Sequence, residues 1–171
     1  MVNFVIAQIF GTIALIVLII SFQKNEKKKL LKYQMFSSLL YAIQYAFLGP
    51  EAYTGCLMNL TSMIRNFIFK RYENKRPPLY LLIIIVALMI TLSLISFEGL
   101  ISLLPMLAMV LYSIAVWNGN LKIVRIADII SCSLYIIYNI VVQAYAGLVA
   151  TIIEMLGAMV SLYKFNIKKV E

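Results

Sequence analysis

The sequence has no histidine and only two cysteines among its 171 residues. Histidine is the side chain that most often binds transition metals or acts as a general base. Cys56 and Cys132 stand far apart in apolar stretches, whereas zinc and redox sites need clustered cysteines. We therefore expect the cysteines to be packing residues, with no metal site, no disulfide framework and no cofactor.

Charge is also scarce, since 13% of the residues are charged and 63% are hydrophobic. Apolar runs recur at close to the roughly 20 residues that a helix needs to cross about 30 Å of hydrocarbon. They are apolar on every side, as in Leu79–Phe97, whereas the strands of a membrane barrel alternate. The pattern predicts an all-α membrane protein with seven transmembrane helices, at about residues 3–22, 30–48, 53–71, 79–97, 100–117, 125–144 and 148–166.

Lysine and arginine lie on one side only of these predicted helices. The opposite connections, around Glu51, Glu98 and Ala146, contain neither residue, so the positive-inside rule predicts an N-out, C-in orientation. The net charge of +8 predicts attraction to anionic lipid head groups. No nucleic-acid partner is expected, because no soluble domain or aromatic surface accompanies the basic segments, which are Lys24–Lys32, Lys70–Arg76, Lys122–Arg125 and Lys164–Lys169.

The chain contains an internal repeat. Residues Gln34–Tyr45, "QMFSSLLYAIQY", align with Asp128–Asn139, "DIISCSLYIIYN", at an offset of 94 residues, and a two-residue difference in the following loop reduces the offset to 92. Each copy carries a polar stripe at helical spacing, which consists of Gln34, Ser37, Tyr41 and Tyr45 in the first and Asp128, Ser131, Tyr135 and Asn139 in the second.

Three helices are an odd number, so two parallel copies require one extra helix between them to reverse the chain. The span Leu79–Phe97 has few polar residues, as expected of a linker that faces lipid. The predicted arrangement is 3+1+3. Residues 1–72 form the first triple-helix bundle, residues 73–98 the linker helix and residues 99–171 the second bundle.

Arg65 and Glu154 are the charged residues well inside predicted spans, where each costs roughly 2.5 to 3.5 kcal/mol. The repeat places them one turn apart on equivalent helices, each within a polar arc. We expect the arcs to face one another and to bind a small solute, with Glu154 as the plausible protonation site. The predicted pocket residues are Asn59, Ser62, Arg65, Asn66, Thr151 and Glu154, surrounded by Tyr41, Tyr45, Tyr135 and Asn139.

Two alternatives remain open for these charges. Arg65 and Glu154 could instead form a structural ion pair that joins the two bundles. Asp128, which follows Arg125 at the predicted start of the sixth span, is interpreted as an N-terminal acid that complements the helix dipole. The alternative role for Asp128 is a cytoplasmic gate residue opposite Gln34.

Several short stretches carry a family resemblance: "AQIFGTIALI" (Ala7–Ile16), "MNLTSMIRN" (Met58–Asn66), "LLPMLAMV" (Leu103–Val110) and "YNIVVQAYAGLVATIIEMLG" (Tyr138–Gly157). The 3+1+3 plan resembles the SWEET, PQ-loop and PnuC superfamily of small-solute transporters, and the chain more closely resembles the YgjV family of bacterial inner membrane proteins. The resemblance implies an inner membrane location. It also implies hinges at Pro105 and, in the first bundle, at Gly11, where the superfamily has proline.

The resulting prediction is a SWEET-like transporter that moves a small polar or ionised metabolite by alternating access. The alternative is a membrane receptor or scaffold of the same fold that binds without transport, as the KDEL receptor's similar fold allows. No acid pair or nucleophile with its base is visible, so we expect no enzymatic activity. The oligomeric state is left open.

Overall fold

The computed structural model describes residues 2–22, 27–72, 75–97 and 99–164, and no strand occurs in these residues. Short 3₁₀ turns at Pro50–Ala52 and Leu100–Ser102 precede the third and fifth of the helices. The all-α class predicted from the sequence is therefore confirmed. The described α-helices are α1 Val2–Phe22, α2 Lys27–Leu48, α3 Tyr53–Phe69, α4 Leu79–Ile95, α5 Leu103–Asn118, α6 Leu121–Val141 and α7 Tyr145–Leu162.

Among the described residues, four helical segments are long and apolar enough to cross a membrane: Asn3–Ile20, Leu100–Asn118, Lys122–Val141 and Tyr145–Leu162. The apolar helix α4 is shorter, with 17 residues. Helix α2 begins with lysines, and α3 carries arginine and asparagine, so neither resembles a simple hydrophobic span. The predicted residues Lys24, Glu98, Lys168 and Lys169 lie outside the described residues.

Consecutive helices pack most closely. Helix α2 contacts α1 and α3, and α6 in the same way contacts α5 and α7. Helix α4 contacts α3 and α5, while α1 meets α7 and α3 meets α5. The outer surface is apolar, as Ile83, Ile84 and Leu94 of α4 illustrate. Polar residues such as Arg65, Asn66 and Asn139 are instead buried between helices.

The repeat extends to individual hydrogen bonds. The hydroxyl of Ser37 donates to the Ala14 carbonyl oxygen at 3.0 Å, and the hydroxyl of Ser131 donates to the Ala108 carbonyl oxygen at 2.8 Å. Both residues of the second pair follow those of the first by the same 94 residues that separate Tyr45 from Asn139. Equivalent serines thus join α2 to α1 and α6 to α5.

The two predicted hinge residues occupy different environments. Pro105 is the third residue of α5 and is buried; in the first turn of a helix, proline is tolerated without a kink. Gly11 lies in the middle of α1, where a Cβ would be 2.5 Å from the amide carbon of Gln44 and 2.7 Å from the Cβ of Ala146. Gly11 therefore permits close packing of α1 against α2 and α7, and the hinge roles stay predictions.

Candidate functional site

A polar cavity lies among the packed helices. It is bounded by α2, α3, α5, α6 and α7, with Leu18 of α1 at its edge, and it offers about 100 Å³ to the centres of water-sized molecules. Nine of the ten residues predicted to bind a solute line it, and Asn139 lies just beyond. Those nine residues are Tyr41, Tyr45, Asn59, Ser62, Arg65, Asn66, Tyr135, Thr151 and Glu154.

Arg65 is held by neutral groups. Its side chain is 2% exposed and donates one hydrogen bond to the Ser113 hydroxyl at 2.9 Å and two to the Asn66 side-chain oxygen at 3.2 and 3.0 Å. The guanidinium also lies over the Tyr112 ring, 5.0 Å from its centroid, a distance typical of a cation–π contact. Within the described part of the chain, no carboxylate pairs with Arg65, so the direct ion pair with Glu154 is not formed.

The cavity contains two carboxylates. Glu154 of α7 and Asp128 of α6 both line it, and Asp128 interacts electrostatically with Glu154 and with Arg65. The interpretation of Asp128 as an N-terminal acid is wrong, because α6 begins at Leu121 and its first turn contains no acidic residue. Asn120 caps this helix instead, by accepting a 3.0 Å hydrogen bond from the Lys122 amide. The dipole effect fades beyond the first turn, so Asp128 belongs to the cavity.

Several polar groups that line the cavity have no hydrogen-bond partner among the described residues. They are the side-chain oxygen of Gln34 and the hydroxyls of Tyr41 and Tyr135. Leaving a buried polar atom unpaired costs about 1 to 3 kcal/mol, and native structures rarely keep such atoms without a reason. These atoms point to a role in binding a polar molecule.

Hydrogen bonds that converge on α6 close one end of the cavity, where α2 and α6 end. The Tyr45 hydroxyl donates to the Asn139 side-chain oxygen at 2.6 Å, and the Asn139 amide donates to the Thr151 hydroxyl at 3.2 Å. The Gly55 amide donates to the Tyr138 hydroxyl at 3.0 Å. We call these five residues the closing layer.

Replacing Tyr45 by phenylalanine should loosen the closing layer. The ring contacts remain, but the Asn139 oxygen, which is fully buried, loses its donor at a cost of about 1 kcal/mol. We expect a lower melting temperature in detergent and a several-fold faster reaction of the cavity residue Cys132 with maleimide, in a Cys56→Ala background. The exposed Tyr53→Phe is the matched control, and identical labelling in both variants would contradict the role of the layer.

The sequence did not reveal every cavity residue. Tyr112 and Met109 of α5 line the cavity, but they lie in a continuous apolar run with no polar stripe. Gln34, Asp128 and Ser131 also line it, and their membership of the two repeated stripes was the signal that could have placed them there.

A family model described as bacterial inner membrane protein, Imp-YgjV, matches residues 5–169. The chain belongs to this family. It is therefore a multi-pass protein of the bacterial inner membrane, as its apolar helices also indicate. Neither the curated proteins nor the solved structures compared with the chain include a significant match.

Membership of the Imp-YgjV family places the buried polar groups in a protein of the inner membrane. The match spans all the residues that line the cavity, so the cavity belongs to the family's own region of the chain. In a membrane protein, ionisable residues that face a cavity between helices commonly mark a path or site for a solute.

Proposed function

We propose that the protein is a SWEET-like transporter that moves a small polar or ionised metabolite across the inner membrane. The observation that carries this proposal is a polar cavity between equivalent helices, with unpartnered buried polar atoms in its wall. In the proposed 3+1+3 arrangement, the bundles of residues 1–72 and 99–171 alternately expose the cavity to either side. Residues 73–98 connect them.

The closing layer supports alternating access. It consists of a few hydrogen bonds at one end of the cavity, each with a net contribution of only about 0.5 to 1.5 kcal/mol. These hydrogen bonds can therefore break and re-form at a modest cost. With the proposed N-out, C-in orientation, α2 and α6 run outward, so the closed end is the outer end and the cavity faces the cytoplasm.

The size of the cavity limits the solute. The cavity volume is about 100 Å³, and one water molecule occupies about 30 Å³ in the liquid, so the space corresponds to only a few water molecules. The solute should therefore be a small metabolite with few heavy atoms. Its polar groups would replace water at the Gln34, Tyr41 and Tyr135 side chains.

Flux measurements on the protein in proteoliposomes test this function. The panel should include amines, amino acids, organic acids, sugars and nucleosides. Tyr135→Phe removes a hydroxyl without breaking any hydrogen bond between described residues, so the variant should fold normally yet lose about fivefold in flux, as for one lost hydrogen bond.

Tyr80→Phe is the matched control, because Tyr80 is exposed on α4, and it should transport as the unmodified protein does. If no solute crosses in a manner that depends on Tyr135 or Arg65, the transporter proposal fails. Binding of a solute without any flux would favour the receptor or scaffold alternative.

A further inference from the structure

The charges that line the cavity are unequal in number. Among the described residues of its wall, Asp128 and Glu154 are acidic and only Arg65 is basic. With both carboxylates ionised, the wall carries one negative charge more than it carries positive charges. Buried charge is costly when it is unpaired, so this wall is suited to a positively charged guest.

Arg65 does not serve as a direct partner of either acid. Its hydrogen bonds go to Ser113 and Asn66, and the Tyr112 ring covers one face of the guanidinium. Neither carboxylate receives a hydrogen bond from a residue in the described ranges. The acidic oxygens of Asp128 and Glu154 are therefore available as acceptors for donors that the protein does not itself provide.

The neutral polar groups without partners in the cavity wall also favour a positively charged guest. The side-chain oxygen of Gln34 and the hydroxyl of Tyr135 line the same cavity without a partner, and these side chains are only 9% and 7% exposed. An amide oxygen can only accept hydrogen bonds, and a phenol oxygen can accept as well as donate. Counted with the Tyr41 hydroxyl and the two carboxylates, all the unpartnered groups can accept and only the two phenols can also donate, which favours a guest rich in N–H donors.

We propose that the transported solute is a small organic cation with an ammonium group, which binds between Asp128 and Glu154. This inference rests on the proposed function and names its substrate class. An ammonium group offers three N–H donors and no acceptor. Two of these donors would meet the carboxylates, and the third would meet Gln34 or Tyr135. The guest also supplies the positive charge that the wall lacks.

Thermal unfolding in detergent measures binding separately from transport, because a ligand that binds the folded state raises the melting temperature. The probes are methylammonium and ethanolammonium, compared with ethylene glycol, acetate, and sodium and potassium ions alone. We expect the two ammonium compounds to raise the melting temperature and the other probes to leave it unchanged. Counterflow of labelled ethanolammonium in proteoliposomes then measures transport.

Neutral isosteres identify the groups involved. Glu154→Gln and Asp128→Asn each remove one carboxylate charge and should weaken ammonium binding about tenfold or more, as for loss of a charge-assisted hydrogen bond. Glu51→Gln is the control, since Glu51 is an exposed acid in the turn before α3. Because both isosteres remove a half-buried charge that has no ion partner among the described residues, they should fold at least as well as the original chain.

The outcomes distinguish the transport proposal from the proposal of a cation site. Binding of acetate or ethylene glycol in preference to the ammonium compounds would overturn the cation inference, as would ammonium binding that both isosteres leave intact. An equal effect of sodium or potassium would overturn the requirement for an organic cation. Ammonium binding without counterflow would support the site but contradict transport, whereas cavity-dependent flux of an anionic or neutral solute would support transport and contradict the cation inference.

Discussion

The double variant Arg65→Glu/Glu154→Arg is expected to be no more stable than Arg65→Glu alone. In the single variant, a carboxylate replaces a guanidinium that is 2% exposed and makes three hydrogen bonds. It also places a third acid beside Asp128 and Glu154. Disrupting a buried charge in this way costs about 3 to 5 kcal/mol, which corresponds to a fall in melting temperature on the order of 10 °C.

An arginine at position 154 does not repair this loss. The acceptors of Arg65 are Asn66 on the same helix and Ser113 on α5, and the aromatic face comes from Tyr112 of α5. These groups surround position 65, so they remain without their cation when the charges are exchanged. Exchanging two charges restores stability only where the two charged side chains are direct partners. In the structure, the partners of Arg65 are neutral groups instead.

Arg71→Glu is the control for the same change of charge just after the end of α3. Because Arg71 is exposed, this substitution should change the free energy of unfolding by no more than about 0.5 kcal/mol. Thermal unfolding of the four proteins in one detergent gives the comparison. Recovery of the original melting temperature and of solute binding by the double variant would mean that Arg65 and Glu154 pair directly, contrary to the structure.

Gly55→Ala should destabilise the protein by about 3 kcal/mol, the cost of overpacking plus a weakened hydrogen bond. A Cβ at this position would lie 2.9 Å from a ring carbon of Tyr138 and 3.1 Å from a ring carbon of Tyr45. Both tyrosines are at most 2% exposed, so neither ring can withdraw easily. The hydrogen bond from the Gly55 amide to the Tyr138 hydroxyl should weaken as the ring is displaced.

The repeat provides a control for Gly55 at its equivalent position, Gly147. There a Cβ would meet only Asn139 and Gln44 side-chain atoms at 3.5 Å, which is ordinary contact. Gly147→Ala should therefore be neutral or stabilising by up to about 1 kcal/mol, because alanine favours the helix. Melting curves of the two alanine variants decide the matter, and equal melting temperatures would show that the closing layer is not tightly packed.

Sequence reasoning was most informative where polarity is unusual for its surroundings. Arg65 and Glu154 stood out against apolar neighbours, and the two polar stripes identified the faces of α2 and α6 that line the cavity. Sequence reasoning was least informative about which side chains contact one another. Ser113 is one serine in an apolar helix, and only the packing of α5 against α3 brings it to Arg65.

The misplaced start of α6 shows a second limit. Asn120 and Gly119 precede Leu121, and the asparagine side chain caps the helix there, whereas hydropathy alone favours a later start, at Arg125. A capping hydrogen bond contributes much less free energy than the membrane insertion of an apolar helix, so a hydropathy pattern does not detect it. The shift changed the interpretation of Asp128 from a dipole partner to a cavity residue.

The bond between Tyr45 and Asn139 also makes the two halves of the chain unequal. These residues occupy the same place in the two copies, yet one supplies a phenol and the other an amide. A homodimer of the first half alone would bring two tyrosine rings into a space that accommodates one ring and one amide, and the hydroxyl would lose its carboxamide acceptor. Each half therefore carries one side of a contact that a second copy of itself could not complete.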